Sequence, residues 1–261
     1  MSNLLRSDFY RLFKSKSFYI CTAVVLFFSA LTIFMLDWAS NLASGEGNAM
    51  DATLFYKDGI TYGMTAFASG NLQMILAIVT AIFVTAEFAH GTMKNVVSKG
   101  FSKIQIYLSK LITMIAATYM IILATLIVGT ICATIVTGTL GDFTGEYVSL
   151  LLKTAGIELL LNAALTAVFV LVAMFIRNLG GVIAFNIIGI MSIGQLLFTI
   201  LEYIVRSKIK FSEFSLTYNI SFYLGNTADT GDYLRSILVG LIFLIVCTAL
   251  GIFTFIKSDV K

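Results

Sequence analysis

The chain has 261 residues, of which 59% are hydrophobic and only 12% charged, with a formal net charge of +3 at pH 7. A soluble domain carries roughly 25% charged residues, so a soluble enzyme is excluded: this chain could not cover itself with a solvated surface. The apolar residues fall in long blocks, and lipid forces a backbone to satisfy its own hydrogen bonds, so the blocks predict an all-α polytopic membrane protein.

Residues 3–16 come first. On a helical wheel Leu5, Phe9, Leu12 and Phe13 share one face, with Tyr10, Arg11 and Lys14 opposite. That pattern predicts a basic amphipathic helix in the inner membrane interface, its cations near anionic lipid headgroups. Six apolar runs follow, at Phe18–Trp38, Leu72–Phe88, Leu111–Val136, Thr154–Ile176, Leu179–Val205 and Leu234–Ile256. Each approaches the roughly 20 residues that cross a hydrocarbon core at about 1.5 Å per helical residue. The first run exceeds the roughly 7–15-residue core of a cleavable signal, so it reads as a retained span.

The loop between runs two and three carries the most information. Residues 91–99 read as a short helix ended by Gly100, a residue suited to a left-handed cap. Ser102 and Gln105 have capping-box spacing for the start of the next helix. Glu87 precedes the short helix, where its charge favours the positive end of the dipole. In an assembly, Lys94 and Lys99 would meet acidic groups on a partner, with Met93, Val96 and Val97 as apolar contacts.

With Glu87, Gly91, Thr92, Lys94, Ser98, Ser102, Lys103 and Lys110 in this order, the loop resembles that of permease subunits of type-2 ATP-binding-cassette exporters. Gly100 stands where that family often has Pro, and Lys103 where it has Arg. The ending Phe255-Ile256-Lys257-Ser258-Asp259 is also similar. The resemblance implies six spans, cytoplasmic termini, an N-terminal interfacial helix and a cytoplasmic coupling helix that docks on a separate ATPase subunit. It further implies a second permease copy and a hydrophobic or amphipathic substrate such as a peptide, drug or lipid. ATP and Mg are expected on the ATPase, because no Gly-rich loop leading into Lys-Ser or Lys-Thr occurs here.

In run four Glu158, Asn162 and Thr166 recur every four residues and so stack on one helix face. A carboxylate within a span usually faces protein or a water-filled cavity, which makes these three candidate substrate-path residues. Glu158 also lies only five residues inside Lys153 and could reach the outer interface, while Asn162 and Thr166 could serve only a neighbouring helix. Asn186 and Gln195 in run five carry the same two readings, and Ala163 and Ala167 read as close-packing positions. The loop 206–232 holds Phe211, Phe214, Tyr218, Phe222 and Tyr223, which suit the headgroup level; the resemblance implies a short re-entrant or interfacial helix there. Asn219-Ile220-Ser221 matches a glycosylation sequon, which chance explains.

Basic residues set the orientation. With the termini inside, the inner segments hold Arg6, Arg11, Lys14, Lys16, Lys94, Lys99, Lys103, Lys110, Arg177, Lys257 and Lys261, eleven against six outside at Lys57, Lys153, Arg206, Lys208, Lys210 and Arg235. The termini are therefore expected in the cytoplasm and the protein in the plasma membrane. No linker or internal repeat divides residues 1–261, which read as one transmembrane domain. Cys21, Cys132 and Cys247 lie in apolar runs as packing residues, and the single His90 leaves no basis for a metal site. Proline is absent, so any helix break must use Gly or a polar insertion. No nucleic-acid partner is expected. An ion-gradient-driven transporter or channel and a non-transporting immunity or anchor protein are the alternative functions.

Overall fold

The computed structural model describes residues 1–45, 59–65, 69–141, 144–205, 210–222 and 230–258. Lys57, Arg206, Lys208, Tyr223, Asp259 and Lys261 lie outside the described residues, as does the side chain of Gln195. Among those described there is no strand. In chain order the helices are α1 (Ser2–Lys14), α2 (Lys16–Gly45), α3 (Gly59–Thr65), α4 (Gly70–Ala89), α5 (Thr92–Ser98), α6 (Lys103–Thr137), α7 (Gly145–Ile176), α8 (Leu179–Ala184), α9 (Gly194–Val205), α10 (Leu216–Phe222) and α11 (Thr230–Lys257).

Six stretches are long and apolar enough to cross a membrane: Lys16–Met35, Gly70–Ala89, Lys103–Thr137, Val148–Ile176, Leu179–Val205 and Thr230–Lys257. They coincide with the six predicted runs, but the third starts eight residues earlier than its apolar run. Polar residues extend it because Ser102 caps it, its Oγ accepting from the Gln105 N–H at 3.2 Å. The fifth is not one regular helix. Its middle, Phe185–Ile193, is a π-helix between α8 and α9. The insertion contains Asn186 and Gly189, the kinds of residue left for a break in a chain without proline.

The fourth span, α7, is the centre of the bundle, packed against α11, α4 and α6. Helices in lipid gain no hydrophobic drive from meeting each other, so close packing by small residues brings them together. Ala163, Ala164 and Ala167 are buried on α7. The first, fifth and sixth spans present most of their surface outward. Between α2 and α4, α3 lies against α6, and the buried Tyr62 donates to the Ser29 carbonyl on α2 at 3.4 Å.

One contact has a sharp steric requirement. Tyr107 on α6 is fully buried and lies over Gly251 of α11, where an added Cβ would overlap its hydroxyl. Overpacking of this kind costs about 1–3 kcal/mol. Gly251→Ala should therefore lower the melting temperature in detergent, with Gly156→Ala, where a Cβ meets nothing within 4 Å, as the matched control. Equal melting of the two variants would show that this approach is not tight.

Candidate functional site

The end of the bundle that carries the first residues is built on four buried or half-buried charges. On α1 the buried residues are Leu4, Asp8 and Leu12. One residue departs from the predicted faces: Arg11, expected near headgroups, is turned to Glu87. The physical reason is that α1 packs on α6, which brings Asp8 to Lys110 of α6 and Arg11 to Glu87 of α4. Asp8 accepts from Ser109 Oγ at 2.6 Å and pairs with Lys110. Lys110 also donates to Glu87 at 2.5 Å, and Arg11 pairs with the same carboxylate. Arg11 further donates to the Phe83 carbonyl at 3.1 Å, with its guanidinium 4.2 Å from the Phe83 ring centroid. Burial pulls the Arg11 guanidinium below its usual range, and the nearby Asp8 charge acts the other way.

Two carboxylates and two cations therefore join α1, the end of α4 and the start of α6. Glu87 does precede the short helix, in the last turn of α4, and there it is buried and paired with Arg11 and Lys110. Asp8 and Ser109 were not singled out from the sequence. Lys110 offered the signal: once the helix starts at Lys103, it lies two turns inside a span, where a cation needs a partner.

The short helix α5 follows directly, between two glycines in the left-handed region, Gly91 at φ 66° and Gly100 at φ 82°. Side chains rarely adopt that backbone, which explains glycine at both corners. The Thr92 hydroxyl donates to the Glu87 carbonyl at 3.3 Å, and the Ser98 hydroxyl to Asn95 at 3.0 Å. Lys94, Asn95, Ser98, Lys99 and Gly100 are exposed, and Val96 and Val97 are half-buried. Met93 is 1% exposed and belongs to the core, so it is no apolar contact for a partner. Its neighbours Lys94 and Asn95 are exposed, so α5 has one side in the core and one side out. Lys103 is also committed within the chain, donating to the carbonyls of Ile256 and Ser258 at 2.9 Å each.

A second polar group lies deep in α7. Glu158, Asn162 and Thr166 are 2%, 0% and 0% exposed and face protein. Glu158 is ten residues in from Val148, where the fourth span begins, about 15 Å along the helix. Thr166 shares a 2.9 Å hydrogen bond with Thr118 of α6 and donates to the Asn162 carbonyl, while the Asn162 amide donates to the Glu158 carbonyl. Neither carboxylate oxygen of Glu158 has a hydrogen-bond partner among the described residues, and the same holds for the buried Asn186 side chain.

At the other end, α10 and the turn Phe211–Phe214 cap the bundle. Asn219 is fully buried, donating to the carbonyls of Glu213 and Ser215 and accepting from Ser236 Oγ at 2.9 Å. The sequon is structural. Arg235 pairs with Glu213 and Asp232 and lies over the rings of Tyr218 and Phe222. Among the described residues, no cluster of His, Cys, Asp or Glu could hold a metal.

Six helices long and apolar enough to cross a membrane make this a multi-pass membrane protein. The chain belongs to the ABC-2 family transporter proteins: the model of that family matches residues 4–194, from α1 through the π-helical segment of the fifth span. It is thus a permease of the ATP-binding-cassette transporter class. No curated protein matches the chain.

Proposed function

We propose that the chain is the transmembrane subunit of an exporter in the plasma membrane, working with a separate ATPase and a second permease copy. Residues 1–261 form one membrane domain, ATP and Mg belong to the ATPase, and the cargo is a hydrophobic or amphipathic peptide, drug or lipid. The observation that carries the reading is α5: a short helix with an exposed basic edge, seated on the ionic cluster that joins α1, α4 and α6. Nucleotide-driven movement of a partner docked on Lys94, Lys99 and the exposed edges of Val96 and Val97 would pass through Thr92 and Glu87 into three helices at once. Gly91, Gly100 and Ser102 set the angle of α5, and Met93 and Lys103 anchor the loop to the bundle.

The test is charge reversal on the exposed edge. Lys94→Glu with Lys99→Glu should reduce co-purification of the ATPase by about tenfold or more, since like charges across an interface cost several kcal/mol. Membrane insertion should be unchanged. A doubly reversed protein that keeps both its ATPase and ATP-driven transport would remove α5 from the coupling role.

Both termini face the cytoplasm in this reading, on the strength of the eleven-to-six basic asymmetry. In a background with Cys21, Cys132 and Cys247 replaced, an impermeant thiol reagent applied to sealed cells should label Met50→Cys and spare Asn95→Cys. The reverse pattern would invert the protein.

Glu158, Asn162 and Thr166 are assigned to the substrate path. Their enclosure within one protomer means that the path opens only when α7 separates from a neighbour. An unpaired buried carboxylate is costly to keep, and intramembrane acids mark substrate or ion pathways by default.

A further inference from the structure

The start of α6 holds the end of the last helix. Lys103, the first residue of α6, donates from Nζ to the carbonyls of Ile256 and Ser258 at 2.9 Å each, across 153 and 155 positions of sequence. The last carbonyls of a helix have no partner within it, and the negative end of its dipole favours a cation. A basic residue of the same last turn ordinarily fills that role. Here the local candidate, Lys257, is turned to the Phe253 ring, its Nζ 4.3 Å from the centroid. The end of α11 is capped instead by a residue of another helix.

That residue sits where the short helix feeds into a span. α5 ends at Ser98, Gly100 turns the chain in left-handed backbone, and Ser102 caps α6. One turn beyond Lys103, on the same face of α6, Tyr107 is fully buried against Gly251, and its hydroxyl donates to the Cys247 carbonyl at 3.5 Å. The two helices thus meet in antiparallel register, Lys103 at Ile256 and Tyr107 at Gly251. The two contacts differ in what they resist. The Tyr107 ring against Gly251 is steric and resists approach. The Lys103 hydrogen bonds are charge-assisted and resist separation. The cluster of Asp8, Arg11, Glu87 and Lys110 contains no residue of α11.

We propose that Lys103 is a positioning residue for transport: it makes the sixth span follow the coupling helix in both directions of the ATPase stroke. The inference rests on the coupling reading of α5 and adds a fourth helix to the three that the ionic cluster joins. α11 has 28 residues, about 42 Å at 1.5 Å per residue. At its other end Arg235 pairs with Glu213 and Ser236 donates to Asn219, which ties α11 to the turn Phe211–Phe214 and to α10. A pull on Ile256 and Ser258 therefore reaches the cap at the opposite end of the bundle. If Lys103 only stabilised the last turn of α11, its loss would loosen that turn and leave the span's response to nucleotide unchanged.

The experiment uses the full chain with its co-purifying ATPase in lipid nanodiscs, with Cys21, Cys132 and Cys247 replaced. Spin labels on Ile112→Cys of α6 and Leu250→Cys of α11, both exposed positions, report the separation of the two helices by electron paramagnetic resonance. With Lys103 present, trapping the complex with ATP and vanadate should leave that separation at its nucleotide-free value. In Lys103→Met it should change by about 1–2 Å, the usual scale of interhelical shifts, with the ATPase still bound and hydrolysing ATP. Lys103→Arg keeps the cation and should behave as Lys103 does. Lys103→Gln should behave as Lys103→Met, so the result does not depend on how one variant folds. A separation that changes on trapping with Lys103 present, or that stays constant in both neutral variants, overturns the proposal and leaves the coupling reading intact. Retention of the ATPase by Lys94→Glu with Lys99→Glu overturns that reading instead, and the proposal with it.

Discussion

Lys110→Met should cost the fold about 3–5 kcal/mol, the range for removing one member of a buried ion pair. The substitution roughly conserves side-chain length, so the loss is electrostatic. Lys110 is 2% exposed and bridges Asp8 and Glu87, which are each 4% exposed. Without it two buried carboxylates share one cation, Arg11, and Ser109 is the remaining donor to Asp8. Restoring neutrality should recover much of the loss. Asp8→Asn added to Lys110→Met again leaves one carboxylate, Glu87, with one cation, and the double change should be less destabilising than the sum by about 1–3 kcal/mol. Thermal melting of the four proteins in one detergent gives the cycle. Additive losses would mean that Asp8 and Lys110 do not act as a pair. Because Glu87 also holds α5 through its carbonyl, the Lys110 variant should lose ATP-driven transport even where enough folded protein remains to bind the ATPase.

Glu158→Leu should move stability and activity in opposite directions. The carboxylate is 2% exposed, with no hydrogen-bond partner on either oxygen among the described residues. Replacing an unpaired buried polar group by a similar-sized apolar one should raise stability by about 1–3 kcal/mol. If the group serves the substrate path, ATP-driven transport should fall by about tenfold or more, the consequence of roughly 1.4 kcal/mol lost from a functional step. Melting and vesicle transport, measured on one preparation, separate the outcomes. A stabilised protein with unchanged transport would assign Glu158 to the bundle alone. A destabilised one would mean that the carboxylate has a structural partner.

The six spans were legible because each is a run of apolar residues with a physical minimum length. The third helix starts at the cap that Ser102 and Gln105 predict, eight residues ahead of its apolar run, because Lys103 and Lys110 interrupt the apolar pattern. The fifth was read as regular, since periodicity cannot reveal a π-helical insertion. The candidate loop was legible in its backbone: Gly100 and Ser102 both adopt the geometry their residue types favour. It was not legible in its faces. Met93 and Val97 look alike in sequence, yet one is buried in the core and the other half-exposed.

Local chemistry by itself determined that this chain crosses a membrane, that α6 begins after Ser102, and that Glu158, Asn162 and Thr166 share one face. Those properties depend on neighbours within a few residues, through hydrogen bonds, caps and helical spacing. Tertiary structure alone decided what the charges do. Asp8 and Lys110 are separated by 102 positions in the chain, and only the packing of α1 on α6 makes them partners. It also turned Arg11 from lipid to Glu87 and bound Lys103 to the end of α11. A charge in a low-dielectric region is stabilised by whatever opposite charge lies within a few ångströms, and that distance is a property of the packed bundle, not of the order of residues.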